Sequence, residues 1–269
     1  MKKTNLITVT PGKRVRLKSI DTGATGAYKE KEEPVERQKT IEKRLVALQT
    51  RLYAESKRSL LIVFQAMDTG GKDGATKSLF TGVNSAGIHV TSFKAPTSLE
   101  LAHDFLWRVH AAVPERGMIG VWNRSHYEDV LITRVHGLID KKTAHERFEA
   151  INDFERMLSK NGVTILKFFL HISKKEQKER LQARLDDPEK NWKFSVGDLK
   201  EREFWNDYQH AFEAALSHCS TEYAPWHIVP ADHKWARDIA ISERVLKTLE
   251  AMDPQFPDVD FDPKKIVIE

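Results

Sequence analysis

Residues 65–77 read QAMDTGGKDGATK and follow an apolar run, Leu60 to Phe64, so two glycines and a lysine fall where a strand would give way to a helix. In that context successive backbone N–H groups and the positive end of the helix converge on an anion. Gly70 and Gly71 would let a phosphate chain approach the backbone, Lys72 would reach its terminal groups, and Thr69, Gly74 and Lys77 would complete the contacts. Lys77 taken alone reads equally well as a solvated helical lysine. The phosphate-loop pattern G-x-x-x-x-G-K-[ST] is broken twice: Ala66 stands at its first glycine and Asp73 at the hydroxyl that usually meets magnesium. Asp68 lies inside the loop, where its charge would repel phosphates unless a divalent cation lay between them. Magnesium, or manganese in its place, held partly by Asp68 resolves that conflict. The competing reading is a plain glycine-rich turn with Asp73 capping a helix; it leaves Lys72 and Asp68 without a purpose.

A second group of candidates follows the run Met118–Trp122. A phosphate-loop enzyme usually sets an acidic residue at the end of a second buried strand to hold its metal, and here that position is an amide, Asn123. Asn123 can orient a water or a phosphate oxygen, and Glu128, five residues on, can restore the missing charge as a metal ligand. Ser125 followed by Glu128 is also the signature of a helix capping box, which would employ the glutamate structurally. Arg124 and Arg134 are the cations to aim at transferring phosphates, since a planar guanidinium matches oxyanions in bidentate fashion. Surface salt bridging is the alternative for both.

These groups need a frame. Strand-like runs lie near Leu60–Ala66, Ile88–Phe93, Met118–Trp122, Val163–His171 and Trp226–Pro230, with helical candidates near 73–86, 98–113, 125–159, 174–217 and 233–251. Alternation of this kind argues for an α/β fold with a parallel sheet covered on both faces. A leading helix precedes it, with Val35, Ile41, Leu45, Leu48 and Leu52 at helical spacing after Pro34. The division expected is an arm plus leading helix over 1–58 and a core over 59–269, with a charged lid at about 172–205. With 40% hydrophobic and 30% charged residues, disorder is excluded as the main state. The longest uninterrupted apolar run is far short of the ~18 residues that span a bilayer. Cys219 is the only cysteine, which excludes an internal disulfide or a multi-cysteine metal site and fits a cytoplasmic setting. The net charge of +4 is small, so any polyanion site must be local. The first twenty residues hold six basic and no acidic side chains and read as an exposed arm, with an organellar transit peptide as the alternative. The histidines form no tight metal pattern, so His103, His110, His126 and His136 are expected to pack or hydrogen-bond.

Together QAMDTGGKDGATK, SFKAPT, HDFLWRVH, WNRSHYEDVLITRVH and NWKFSVGDLKER resemble the polyphosphate kinase 2 family over residues 10–269. The resemblance implies a P-loop kinase-like three-layer sandwich with a five-stranded parallel sheet and a helical lid. It implies transfer of phosphate between inorganic polyphosphate and AMP, ADP or ATP, with magnesium. By the same resemblance Asp68 and Lys72 match the metal-binding and phosphate-binding positions of the loop, Arg124 the arginine after the second motif, and Arg184, in QKERLQARL, the lid arginine. These four are the expected catalytic residues. Asn123 paired with Glu128 is similar to the class III branch, which uses both AMP and ADP, whereas other branches carry aspartate and asparagine there. A homodimer or homotetramer is expected, with no nucleic-acid or membrane partner.

From Lys167 to Arg202 ten basic and seven acidic residues leave a modest basic path. Arg184, Lys190 and Lys193 flank the Asp186–Asp187–Pro188 break, where a mobile loop could close over substrate and exclude water. Trp192, Phe194, Phe204 and Trp205 read as core or subunit contacts more readily than as nucleobase platforms. Two other functions compete: an ATP-dependent P-loop kinase of a nucleotide or small metabolite, and a non-catalytic polyanion or nucleic-acid binding module. The altered loop and the basic lid favour a long polyanion over a single triphosphate.

Overall fold

The run Leu60–Phe64 has no polar face to offer water, so it must be covered on both sides, and every residue of the strand around it is buried. The computed structural model describes residues 4–268. In chain order the elements are β1 (Ile7–Thr8), α1 (Val35–Glu55), β2 (Ser59–Ala66), α2 (Lys72–Leu79), β3 (Ile88–Ser92), α3 (Ser98–Leu101), α4 (Trp107–His110), β4 (Ile119–Asn123), α5 (Ile132–Val135), α6 (Lys141–Lys160), β5 (Val163–His171), α7 (Lys174–Asp186), α8 (Val196–Glu203), α9 (Trp205–His218), β6 (Trp226–Pro230) and α10 (Lys234–Met252). No helix among the described residues is long and apolar enough to cross a membrane.

The sheet order is β1-β6-β5-β2-β4-β3. From β2 the chain moves outward to β3 and back to β4, then crosses to β5 and β6 on the other side. The carboxyl ends of β2 and β4 therefore meet at a topological switch point, where open α/β sheets leave a crevice. Side chains alternate across β5: Lys167 and Phe169 meet Glu155 of α6 and Phe212 of α9, while α1, α2 and α10 pack together.

Among the described residues five parallel strands form as the sequence predicts, and a sixth corrects the count. β1 pairs antiparallel with β6, Ile7 opposite Ile228 and Thr8 opposite His227. Two residues carry no alternating pattern, so only the pairing partner makes them a strand. The expectation of an exposed N-terminal arm is corrected in part: its basic residues Lys13, Arg14, Arg16 and Lys18 are exposed, but Val9, Val15 and Leu17 are buried, and α9 receives the arm through Val15 N–H to Ser217 Oγ and Leu17 N–H to Glu213 Oε1. Of the apolar residues expected on the leading helix, Val35 is exposed in the folded chain. The helix expected over 98–113 is two short pieces. Thr97 and Glu100 close a capping box on the first, and the Asp104 carboxylate takes the Leu106 N–H to restart the chain. The long helix expected over 125–159 starts at Lys141, capped by Asp140, after Gly137 turns the chain at φ 66°.

His227 reports on how firmly this core excludes protons. Its ring lies buried, with Nδ1 3.0 Å from Thr8 Oγ1. Burial, with Arg244 and Lys167 nearby, pushes its pKa down to about 3. An unfolded histidine protonates near pH 6.5, so below that pH the unfolded chain binds the extra proton and stability falls, by up to about 1.4 kcal/mol per unit, until about pH 3. His227→Gln should flatten this acid limb when urea midpoints at pH 7.5 and 5.0 are compared. Equal losses in both proteins would remove the assignment.

Candidate active site

The loop after β2 turns twice through left-handed backbone, at Thr69 (φ 60°) and Gly71 (φ 98°). Gly71 caps α2, and no side chain takes the first amides of that helix. The backbone N–H groups of Lys72, Asp73 and Gly74 have no acceptor among the described residues. Asp73, read alternatively as a cap, instead accepts a hydrogen bond from the Asn123 amide. Lys72 is buried, and its ammonium donates to Ala66 O at 3.4 Å. Burial and the nearby Arg124 lower its pKa against the pull of Asp68, Glu128 and Asp73. A Cβ on Gly71 would stand 2.1 Å from Arg237 Nη1. Gly71→Ala, strained in backbone as well, should therefore cost about 1–2 kcal/mol of stability in denaturant unfolding, together with turnover.

The end of β4 faces this loop. Arg124 adopts φ 62° and donates from Nη2 to Asp68 Oδ1 at 2.6 Å, with Nη1 3.9 Å from Glu128 Oε2. The capping box read into Ser125 and Glu128 does not form. Ser125 Oγ takes the N–H of Tyr127 and the amide of Gln65, and Glu128 lines a cavity of about 240 Å³ with Asp68 and Arg124. Burial raises the Glu128 pKa, opposed by Arg124 and Lys72.

Opposite stand residues that sequence reasoning missed: Asp198, Glu201 and Tyr208 line the same cavity. Tyr208 donates to Glu201 Oε2 at 2.6 Å. Burial and Asp68 raise the Asp198 pKa against Arg184. Arg184 lies 3.4 Å from Asp198 Oδ2 and donates to Lys193 O. A carboxylate every few residues on charged helices looks like an ordinary solvated face, so no local signal marks these.

Other expected contacts stand apart from the cavity. Arg134 acts electrostatically on His218, at the far end of α9. Lys77 is exposed, Lys190 pairs with Asp187 and Lys193 lies over the Trp192 ring. Trp192 is 78% exposed, whereas Phe204 and Trp205 pack against the core. Lys167, counted in the basic path, is fully buried in β5 and is removed from it. Among the four histidines, His103 stacks on Trp107, His110 meets Phe154, His126 meets Glu155 and His136 meets Glu201.

Asp68 and Glu128 offer hard oxygens on one cavity wall, flanking Arg124. No three His, Cys, Asp or Glu side chains among the described residues converge as a metal cluster. So sparse a set does not suit an all-protein cage. It fits a magnesium-type ion that completes its shell with phosphate oxygens and water.

A phosphate loop with free amides, a buried lysine and an arginine–carboxylate cluster at the switch point has known counterparts. The sequence profile described as Polyphosphate kinase 2 matches residues 28–257. The chain belongs to the polyphosphate kinase 2 family. An AMP/ADP-polyphosphate phosphotransferase of Meiothermus ruber is 49% identical over 262 residues, covering 97% of this chain and 98% of the relative. An ADP-polyphosphate phosphotransferase of Rhodopseudomonas palustris is 44% identical, over 95% and 93% of the two chains. The crystal structure of a polyphosphate kinase 2 from Arthrobacter aurescens TC1 superposes with a TM-score of 0.90 at 44% identity, over 96% and 95%. In this family member the match spans the loop, the β4 end and the lid alike.

Proposed function

We propose that this polyphosphate kinase 2 family member moves phosphoryl groups reversibly between inorganic polyphosphate and adenine nucleotides, converting AMP to ADP and ADP to ATP in a cytoplasmic setting. The observation that carries this reading is the uncommitted row of amides at 72–74 beside the buried ammonium of Lys72. A condensed phosphate chain satisfies both at once. Its reacting end and the nucleotide phosphate meet in the cavity bounded by Asp68, Arg124 and Glu128. A phosphate acceptor is already an anionic nucleophile, so no strong general base is needed, and catalysis reduces to in-line alignment and charge neutralisation. Lys72 and Arg124 neutralise from the core side, and Arg184 from the lid. Asp68 and Glu128 would hold magnesium, or manganese of the same hard-oxygen chemistry, which would supply further neutralisation of phosphate oxygens. Use of both acceptors is supported by likeness to the Meiothermus ruber relative.

The test is product separation after incubating purified protein with magnesium, polyphosphate and either AMP or ADP. ADP from AMP and ATP from ADP are expected. Consumption of ATP with polyphosphate inert would instead make the chain an ATP-dependent kinase. ATP from ADP without any reaction of AMP would restrict the acceptor to the one named for the Rhodopseudomonas palustris relative. Asp68→Asn should abolish transfer without unfolding the chain, as followed by circular dichroism; an unimpaired variant would remove the metal assignment.

A further inference from the structure

A loop can present its amides to an anion only if its carbonyls are turned elsewhere, because N–H and C=O of one trans peptide point in opposite directions. Three carbonyls of this loop are held by side chains from outside it, while Met67 O takes the loop's own Gly70 N–H. Asp68 O accepts from Gln177 Nε2 at 3.0 Å, Thr69 O from Arg180 Nη1 at 3.1 Å, and Gly71 O from Arg237 Nη1 at 3.2 Å. Fixing Thr69 O keeps the Gly70 N–H on Met67 O at 3.0 Å and so closes the turn. Fixing Asp68 O fixes the N–H of Thr69, and fixing Gly71 O, which also accepts from the Ala75 N–H of α2, fixes that of Lys72. Neither N–H has an acceptor among the described residues. Thr69 sits in left-handed backbone, which for a residue with a branched Cβ persists only when the surroundings over-determine it. The donors are themselves anchored. Arg180 also grips Ala231 O at 2.6 Å and Glu176 Oε1 at 2.7 Å, and Arg237 pairs with Asp238. Gln177 is buried and takes a hydrogen bond from Arg202 of α8 at 2.7 Å.

We propose that Gln177, Arg180 and Arg237 are positioning residues that clamp the carbonyls of the phosphate loop outward and thereby set its affinity for polyphosphate. None of them lines the cavity, so they act through the loop and not on the reacting atoms. Because Gln177 and Arg180 belong to α7, the same clamp ties the stem of the lid to the loop. This inference rests on the reading of the loop as the polyphosphate cradle.

Steady-state kinetics of Gln177→Met, Arg180→Met and Arg180→Lys against the unaltered protein test it. Loss of one clamp should raise the KM for polyphosphate about tenfold, the worth of a buried hydrogen bond, with the KM for AMP within about twofold. Arg180→Lys, which keeps one donor for Thr69 O, should fall between. Gln177→Glu, which preserves size and the link to Arg202 while deleting the donor, covers the case in which a methionine variant fails to fold. An unchanged KM for polyphosphate in folded Gln177→Glu and Arg180→Lys, or equal rises in both KM values, overturns the proposal. Failure of the unaltered protein to use polyphosphate at all would instead overturn the cradle itself, so the two failures are distinguishable.

Discussion

Lys72→Met should slow polyphosphate-dependent ATP formation by about 10²–10³-fold, equivalent to about 3–4 kcal/mol, the loss expected when one donor to a developing charge is removed. The ammonium sits where α2 begins and is buried, with the loop's uncommitted amides around it. In such a site water screens little, and the charge acts on the transferring group at close to full strength. The same burial makes the lysine costly to the fold, as its lowered pKa records. The variant should therefore hold or raise its thermal midpoint while losing activity. Initial rates with saturating ADP and polyphosphate, together with a melting curve, check both halves. A rate within fivefold of the unaltered protein would place the transferring phosphate away from this residue.

The largest effect on stability is expected at Lys167. Its ammonium, fully buried in β5, donates to Glu155 Oε2 at 2.5 Å, Tyr127 OH at 2.8 Å and Cys219 O at 2.6 Å, beneath the rings of Tyr127 and Trp226. Burial alone would raise the Glu155 pKa, yet Lys167 and His126 hold it below the usual carboxylate range. Lys167→Met strands that carboxylate and should cost about 3–5 kcal/mol, whereas Lys167→Met with Glu155→Leu should recover most of it. Urea unfolding of the single and double variants measures the difference; a double variant as unstable as the single would mean that packing, not charge, sets the cost. The network matters for chemistry because Tyr127 and His126 lie on the turn between Arg124 and Glu128, so the site's second wall rests on it.

Local order along the chain was enough to announce the phosphate loop, the five parallel strands and the two arginine-bearing segments. A buried strand is an apolar run and a phosphate loop is glycines beside a lysine, both written within a dozen consecutive residues. The Asn123–Glu128 pairing was equally visible, but whether Glu128 caps a helix or faces a cavity was not. Spacing permits both; in the packed turn Glu128 meets Ser125 only through its backbone N–H to Ser125 O, and its carboxylate lines the cavity.

Contacts across long separations lay beyond reach. The pairing of Thr8 with His227, the withdrawal of Lys167 from the basic path into the core, and the placing of Asp198 and Glu201 opposite Asp68 each join residues far apart in the chain. Gln177, Arg180 and Arg237 show the division most plainly. As letters they are unremarkable helical residues, and they gain a role only where folding brings their donors to the carbonyls of a loop formed more than a hundred positions earlier. Composition and short-range pattern encode which groups can meet a phosphate; the direction in which those groups point is a property of hydrogen bonds that exist only after the sheet has closed over its helices.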